Sequence, residues 1–86
     1  MAGTPQTRIA VLGAGSWGTA LASLLAGNGA QVNLWARDCE QAARIEAEHQ
    51  NARYLPGIDL SANLHATCDL PRAVDGADQV WLVLPT

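Results

Sequence analysis

A glycine-rich turn between a short apolar run and a helix-forming segment constrains the fold more than any other feature of the sequence. Residues 13–18 have the spacing G-x-G-x-x-G. Residues 9–12 before them are apolar throughout, which is typical of a central strand in a parallel sheet. Residues 16–26 carry leucines at helical spacing, and Gly-Asn-Gly at 27–29 can end that helix. A strand, a glycine turn and a helix in this order predict a Rossmann dinucleotide-binding fold.

Each glycine of the turn has its own predicted role. Gly13 permits the tight turn, Gly15 lets a pyrophosphate approach the backbone, and Gly18 lets the helix press against the sheet. The alternative is that the three glycines only connect a strand to a helix. Ser16 either donates to a phosphate or caps the helix, and Trp17 either walls the cofactor site or packs in the core.

Alternating strands and helices continue beyond the turn. A second strand is predicted up to Ala36, followed by a helix that Asp38 caps, with Gln41 completing a capping box. That helix is predicted to end near Gln50. A loop over 51–63 then leads to a short strand at 64–66.

The last two elements are a helix and a strand. Asp69, followed by Pro71, marks the helix start, and residues 80–84 form an apolar strand that Pro85 stops. Right-handed crossovers then give a parallel sheet in the order 3-2-1-4, with a ligand crevice between strands one and four. We therefore expect a polar leader over 1–7 and a partial NAD(P)-binding domain over 8–86, truncated after strand four.

Charge and composition argue against two other classes of protein. The 86 residues carry a formal net charge of −3 and no basic run, so no nucleic-acid partner is expected. No charged residue occurs over 9–36, a stretch long enough to imitate a membrane span. Its glycines and polar side chains divide it into short elements, and a buried strand, helix and strand explain the same apolarity.

Few side chains are suited to catalysis or metal binding. Cys39 and Cys68 lack metal-ligand spacing, so no metal site is expected, and they are interpreted as ordinary thiols in a reducing cytosol, with a disulfide left open. His49 and His65 are expected to lie far from a nicotinamide. The chain contains no lysine, and we predict no catalytic residue in it.

The residue after strand two favours one cofactor over another. Asp38 has the spacing of the carboxylate that holds the ribose of NAD, but Arg37 comes first and Asp38 is better explained as a helix cap. A guanidinium at Arg37 suits the 2′-phosphate of NADPH or stacks on adenine. A solvated surface arginine is the alternative.

Several segments together resemble one enzyme family. Residues 9–22, reading IAVLGAGSWGTALA, resemble the N-terminus of bacterial NAD(P)-dependent sn-glycerol-3-phosphate dehydrogenases. The segment LWARD at 34–38 and the loop N-x-RYLPGI at 51–58 are similar to the same family, as are residues 66–70 and 77–85. The resemblance covers nearly all of the chain from Arg8 onward.

This resemblance implies an activity and a set of cofactor contacts. The protein would reduce dihydroxyacetone phosphate to sn-glycerol 3-phosphate for phospholipid synthesis in the cytoplasm, with NADPH or NADH as cofactor. Ser16, Trp17, Arg37 and Tyr54 match positions that contact the cofactor. The family's catalytic lysine and helical substrate domain lie beyond this chain, and the full-length protein would be a candidate homodimer. The alternatives are another two-domain NAD(P) reductase or a non-catalytic dinucleotide-binding module.

Overall fold

Four strands and three helices alternate along the chain. The computed structural model describes residues 7–83. The elements are β1 (Arg8–Leu12), α1 (Ser16–Gly27), β2 (Gln31–Trp35), α2 (Cys39–Glu48), β3 (Leu64–Thr67), α3 (Leu70–Val74) and β4 (Gln79–Leu82). The strands form one parallel sheet in the order β3-β2-β1-β4. The predicted Rossmann-type sheet and its strand order are confirmed.

Two predictions fall partly outside the described residues. Of the predicted leader only Thr7 is described, and Leu84 and Pro85, at the predicted end of the last strand, are not. Within the described part, β4 ends at Leu82, and Val83 continues its pairing because its N–H donates to the Leu12 carbonyl at 2.9 Å.

Helices cover both faces of the sheet. Val32 and Leu34 of β2 belong to the hydrophobic core together with residues of α1 and α2. Asn33 points to the other face, because side chains alternate along a strand. Its amide donates to the carbonyl of Ala73 on α3 at 3.3 Å. Helix α3 therefore lies opposite α1 and α2.

Helix α1 packs mainly through small residues, with Leu25 partly buried against the core. Its buried residues are Gly18, Thr19, Ala22 and Ala26, whereas Leu24 is 63% exposed. The leucines at helical spacing predicted the helix correctly, but its fully buried positions are held by the small residues. Small side chains on the face toward the sheet let the helix axis lie close to the strands.

Helix α2 begins as predicted but differs in its details. The Asp38 carboxylate accepts hydrogen bonds from the N–H groups of Glu40 and Gln41, so Asp38 is the cap. Only one half of the predicted capping box forms: the Gln41 N–H donates to the Asp38 carboxylate, but among the hydrogen bonds of residues 7–83 none joins the Asp38 N–H to the Gln41 side chain, whose amide donates to the Ala14 carbonyl. The helix ends at Glu48, two residues before the predicted end, and its C-cap His49 adopts the left-handed conformation with φ 51°.

The short helix α3 confirms a second predicted cap. The Asp69 carboxylate accepts from the Arg72 N–H at 3.3 Å, and Pro71 lies in the first turn, where its missing N–H costs nothing. The strand before it, β3, extends to Thr67, one residue beyond the prediction.

The strand β4 lies at one edge of the sheet. It pairs with β1 from Ile9 opposite Gln79 to Leu12 opposite Leu82. Its apolar side chains are exposed, with Val80 at 51% and Leu82 at 66%. Among residues 7–83, this strand carries the largest run of uncovered apolar surface.

The charge-free stretch over 9–36 is divided among β1, α1 and β2. Within residues 7–83, the length and apolarity needed for a membrane crossing are not reached by any helix. The strand-helix-strand interpretation of this stretch is confirmed.

The two cysteines are bonded to each other. Cys39, the first residue of α2, and Cys68, just after β3, form a disulfide with their Cα atoms 4.9 Å apart. The interpretation as ordinary thiols is therefore corrected. The parallel sheet and the α2 start bring together two residues that are 29 positions apart in the chain, which spacing alone does not reveal.

Candidate functional site

The glycine turn begins where β1 ends, between the two neighbouring strands. The Gly13 N–H donates to the carbonyl of Trp35 at the end of β2, at 3.0 Å. On the other side, a Cβ on Gly13 would overlap the carbonyl oxygen of Val83, and Gly13 has φ 132°. No other residue type fits both the conformation and the space.

The first turn of α1 packs directly on the glycine turn. A Cβ on Gly18 would overlap the carbonyl oxygen of Gly13. Gly18 was predicted to let the helix press against the sheet, and the nearest backbone that it meets is the turn itself. The close approach fixes the helix start against the end of β1.

Gly15 presents open backbone at the N-terminus of α1. It is the N-cap residue, with extended backbone and no side-chain cap, and no atom lies within 4 Å of where its Cβ would be. The N–H groups at a helix start attract negative charge. The exposed helix start with its open glycine therefore leaves room for a phosphate group.

Ser16 is the first residue of the helix and does not cap it. Its hydroxyl donates to the carbonyl oxygen of Tyr54 at 2.8 Å. The interpretation of Ser16 as an N-cap is wrong, because Gly15 holds that position. With the hydroxyl bonded to the loop, the group that Ser16 can offer to a ligand is its backbone N–H.

Trp17 projects from the first turn of α1 into solvent. It is 78% exposed, the highest value among the large apolar side chains of the described residues. Core packing therefore does not explain this side chain. Its position beside the open glycine makes it available to a ligand held there.

Arg37 follows β2 at the same edge of the sheet. It is exposed, and among residues 7–83 no side chain forms an ion pair with it. Asp38, the alternative ribose ligand, uses its carboxylate to cap α2. The guanidinium of Arg37 is thus the available charged group at the end of β2.

Tyr54 belongs to the loop that the Ser16 hydroxyl holds. Its ring is half-buried, and the Arg53 guanidinium carbon lies 5.2 Å from the ring centroid. The loop is closed by hydrogen bonds from the N–H groups of Tyr54 and Leu55 to the carbonyl of Asn51. The structure thus places Tyr54 next to the helix start, together with the glycine turn.

Two further residues support the turn, and neither was predicted to contact it. The amide of Asn51 donates to the Ala14 carbonyl at 3.1 Å, and the amide of Gln41 donates to the same oxygen at 3.0 Å. Asn51 opens the loop segment that carries the family resemblance, which was the available signal.

The two histidines contribute to the scaffold. His65 on β3 pairs with Glu46 of α2 at 3.2 Å, and both side chains are about half exposed. His49 is the C-cap residue of α2, and its carbonyl accepts from the Leu60 N–H at 2.7 Å. Among the hydrogen bonds of residues 7–83, none joins either histidine to the glycine turn.

Comparisons with known proteins agree on one family. The sequence profile for the N-terminus of NAD-dependent glycerol-3-phosphate dehydrogenase matches residues 8–86. The chain is 54% identical over 83 residues to a glycerol-3-phosphate dehydrogenase [NAD(P)+] from Stenotrophomonas maltophilia, covering 96% of this chain and 24% of that protein. It is 53% identical over 78 residues to the enzyme of the same name from Nitratidesulfovibrio vulgaris, covering 91% and 24%.

Solved structures give the same result. The crystal structure of glycerol-3-phosphate dehydrogenase from Coxiella burnetii matches with a TM-score of 0.88 at 42% identity, covering 93% of this chain and 25% of that one. A glycerol-3-phosphate dehydrogenase from Saccharomyces cerevisiae matches with a TM-score of 0.82 at 31% identity, covering 94% and 27%. The chain spans about a quarter of the length of the curated relatives it matches.

Proposed function

The chain belongs to the NAD-dependent glycerol-3-phosphate dehydrogenase family, matching its N-terminal domain, and we propose that it is the cofactor-binding segment of an enzyme that reduces dihydroxyacetone phosphate to sn-glycerol 3-phosphate. The observation that carries the proposal is the open backbone of Gly15 at the start of α1, with no side-chain cap. That geometry suits a pyrophosphate. NADPH or NADH is the cofactor that this family name implies.

The backbone of the turn would hold the pyrophosphate. Gly13 and Gly18 let the strand end and the helix start come together, and Gly15 leaves the space that a phosphate fills. Ser16 offers its N–H from the first turn of α1, while its hydroxyl keeps the Tyr54 loop in place. These contacts bind and orient the cofactor without any charged side chain.

Three side chains would recognise the rest of the cofactor. Arg37, at the end of β2, would pair with the 2′-phosphate of NADPH, since a guanidinium forms strong charge-assisted hydrogen bonds with phosphate. Trp17 would wall one side of the site, and Tyr54 would wall the other from its loop. The exposure of Trp17 and Arg37, and the hydrogen bond that holds the Tyr54 loop at the helix start, support this assignment.

The bound nicotinamide supplies the hydride, and this segment contributes the binding and the orientation. We propose that residues 8–86 are part of a cofactor domain, and that the proton donor and the substrate-binding residues belong to other parts of the enzyme. The relatives, which are about four times as long as the matched segment, support this division.

The test is the substrate preference of the full-length protein. NADPH oxidation would be followed with dihydroxyacetone phosphate, with ketopantoate and with a simple unbranched 2-keto acid at equal concentrations. We expect turnover with dihydroxyacetone phosphate at a kcat/KM far above that with the other two. Inactivity with dihydroxyacetone phosphate, or a preference for either of the others, would overturn the proposal.

Three expectations about the setting of the enzyme belong to the same proposal. We expect a cytoplasmic protein, a homodimer of the full-length chain, and no nucleic-acid partner. The net charge of −3 on this segment supports the last expectation. Cell fractionation, light scattering of the purified protein and a nucleic-acid shift assay test them one by one.

A further inference from the structure

We propose that Asn51 is a positioning residue for the cofactor pyrophosphate and acts through the peptide that joins Ala14 to Gly15. The inference rests on the proposed cofactor site and adds the group that orients its central backbone donor. It concerns a residue of the loop, 37 positions from the turn in sequence.

The side chain of Asn51 is buried and uses both of its N–H donors. The residue is 2% exposed. Its amide nitrogen donates to the Ala14 carbonyl at 3.1 Å and to the Thr19 hydroxyl at 2.7 Å, and Thr19 is fully buried. A buried amide in such contacts has little rotational freedom, because turning it would leave polar groups unsatisfied.

The Ala14 carbonyl is held by two donors from different parts of the chain. Besides Asn51, the Gln41 amide of α2 donates to it at 3.0 Å. A carbonyl oxygen has two lone pairs, and these two bonds occupy both. The two amides therefore fix the direction of the Ala14 carbonyl, which points toward Asn51 and Gln41.

Fixing that carbonyl also fixes the N–H of Gly15. The described backbone contains no cis peptide, and in a planar trans peptide the carbonyl and the following N–H point in opposite directions. The Gly15 N–H consequently points away from Asn51 and Gln41. Among residues 7–83 no group accepts a hydrogen bond from it, and Gly15 is exposed with open space beside it.

The same residue joins the turn to the Tyr54 loop. The Asn51 backbone carbonyl accepts from the N–H groups of Tyr54 and Leu55, at 3.2 Å and 2.7 Å. Its side chain meanwhile reaches the turn and α1. The side chain of Asn51 thus orients the Gly15 N–H, and its backbone carbonyl closes the loop. These two roles explain why a polar side chain occupies a buried position here.

The experiment compares two ligands that differ in the pyrophosphate. NADPH contains it, whereas adenosine 2′-monophosphate keeps the adenine, ribose and 2′-phosphate without it. Dissociation constants for both are measured by calorimetry on the full-length protein and its Asn51→Leu variant, in which the side chain keeps its approximate volume and loses its donors. We expect NADPH binding to weaken about tenfold, as for a lost hydrogen bond to a charged group. Adenosine 2′-monophosphate should bind as in the wild type.

The matched control is Asn63→Leu, which removes another part-buried amide that donates to two carbonyls, those of Ala26 and Ala30 around the C-terminal end of α1. It is expected to lower stability while keeping the ratio of the two affinities at the wild-type value. Equal weakening of both ligands by Asn51→Leu, or no weakening of either, would overturn the inference.

A second variant covers the case in which Asn51→Leu does not fold. Gln41→Met removes the other donor to the Ala14 carbonyl at a half-buried site, and we expect it to weaken NADPH about threefold relative to adenosine 2′-monophosphate. An unchanged ratio would contradict the inference. A wild-type protein that binds no NADPH would instead contradict the proposed function, so the two failures are distinct.

Discussion

The α-carbon of Gly18 lies so close to Gly13 that a Cβ on Gly18 would overlap the Gly13 carbonyl oxygen. The strand end and the helix start therefore meet through backbone alone. This contact couples the folding of the domain to the shape of the proposed pyrophosphate site, because a side chain on Gly18 would separate α1 from the turn and one on Gly13 would separate the turn from Val83.

Gly18→Ala is accordingly expected to damage both stability and binding. The added methyl group forces α1 away from the turn, and overpacking of this kind lowers the free energy of unfolding by about 1 to 3 kcal/mol. A fall in melting temperature with weaker NADPH binding would agree with this. The control is Gly27→Ala in the same helix, where no atom lies within 4 Å of the new Cβ. It should be neutral or stabilise the protein by about 0.5 kcal/mol.

Gly15→Ala should separate binding from stability. Gly15 has φ −76° and open space at its Cβ position, so alanine fits the protein without strain. The methyl group would occupy the space where the pyrophosphate is proposed to lie. We expect an unchanged melting temperature and a rise of about tenfold or more in the Kd of NADPH, corresponding to at least about 1.4 kcal/mol. Unimpaired NADPH binding would contradict the assignment of Gly15.

Trp17→Ala tests whether the exposed indole belongs to the cofactor site. At 78% exposure it contributes little to packing, so the free energy of unfolding should change by less than about 0.5 kcal/mol. If Trp17 walls the site, the Kd of NADPH should rise about tenfold. Leu24→Ala, at a residue 63% exposed on the same helix, should leave both quantities unchanged. Similar effects of the two substitutions on NADPH binding would argue against a role for Trp17.

Local sequence signals predicted most of the fold. The caps at Asp38 and Asp69 act within a few residues of themselves, and both are confirmed. Helix α1 was found by its apolar spacing, yet Leu24 faces solvent because the sheet side needs small residues. The distance at which a helix packs on a sheet depends on the assembled fold, and the periodicity of apolar residues does not predict it.

The parts of the site that sequence reasoning missed depend on contacts between distant segments. Asn51 meets Ala14 across 37 positions, and Gln41 meets it across 27. The spacing of Gln41 predicted a capping box, but its side-chain amide donates to the Ala14 carbonyl instead. Cys39 and Cys68 likewise pair only because α2 starts beside the end of β3. Such contacts follow from the assembled sheet and cannot be read from spacing.

Breaking the disulfide is expected to destabilise the domain without abolishing cofactor binding. Closing a loop between residues 29 positions apart restricts the unfolded chain, an effect worth roughly 3 kcal/mol. The Cys39→Ser/Cys68→Ser double variant should melt at a lower temperature than the oxidised wild type. A reductant should lower the wild-type melting temperature and leave that of the variant unchanged. Alkylation of both thiols in the native, unreduced protein would contradict the pairing.

Arg37→Ala should change the choice of cofactor. Arg37 is exposed at the end of β2, and the neighbouring Asp38 uses its carboxylate to cap α2, so the guanidinium is the charge available to a 2′-phosphate. Losing charge-assisted hydrogen bonds should lower kcat/KM for NADPH about 10-fold to 100-fold and leave the value for NADH nearly unchanged. Arg72→Ala is the matched control, since Arg72 is an exposed arginine on α3, across the sheet. If Arg37→Ala left the NADPH-to-NADH ratio at its wild-type value, the arginine would be a solvated surface residue, and the preference would have to come from another part of the enzyme.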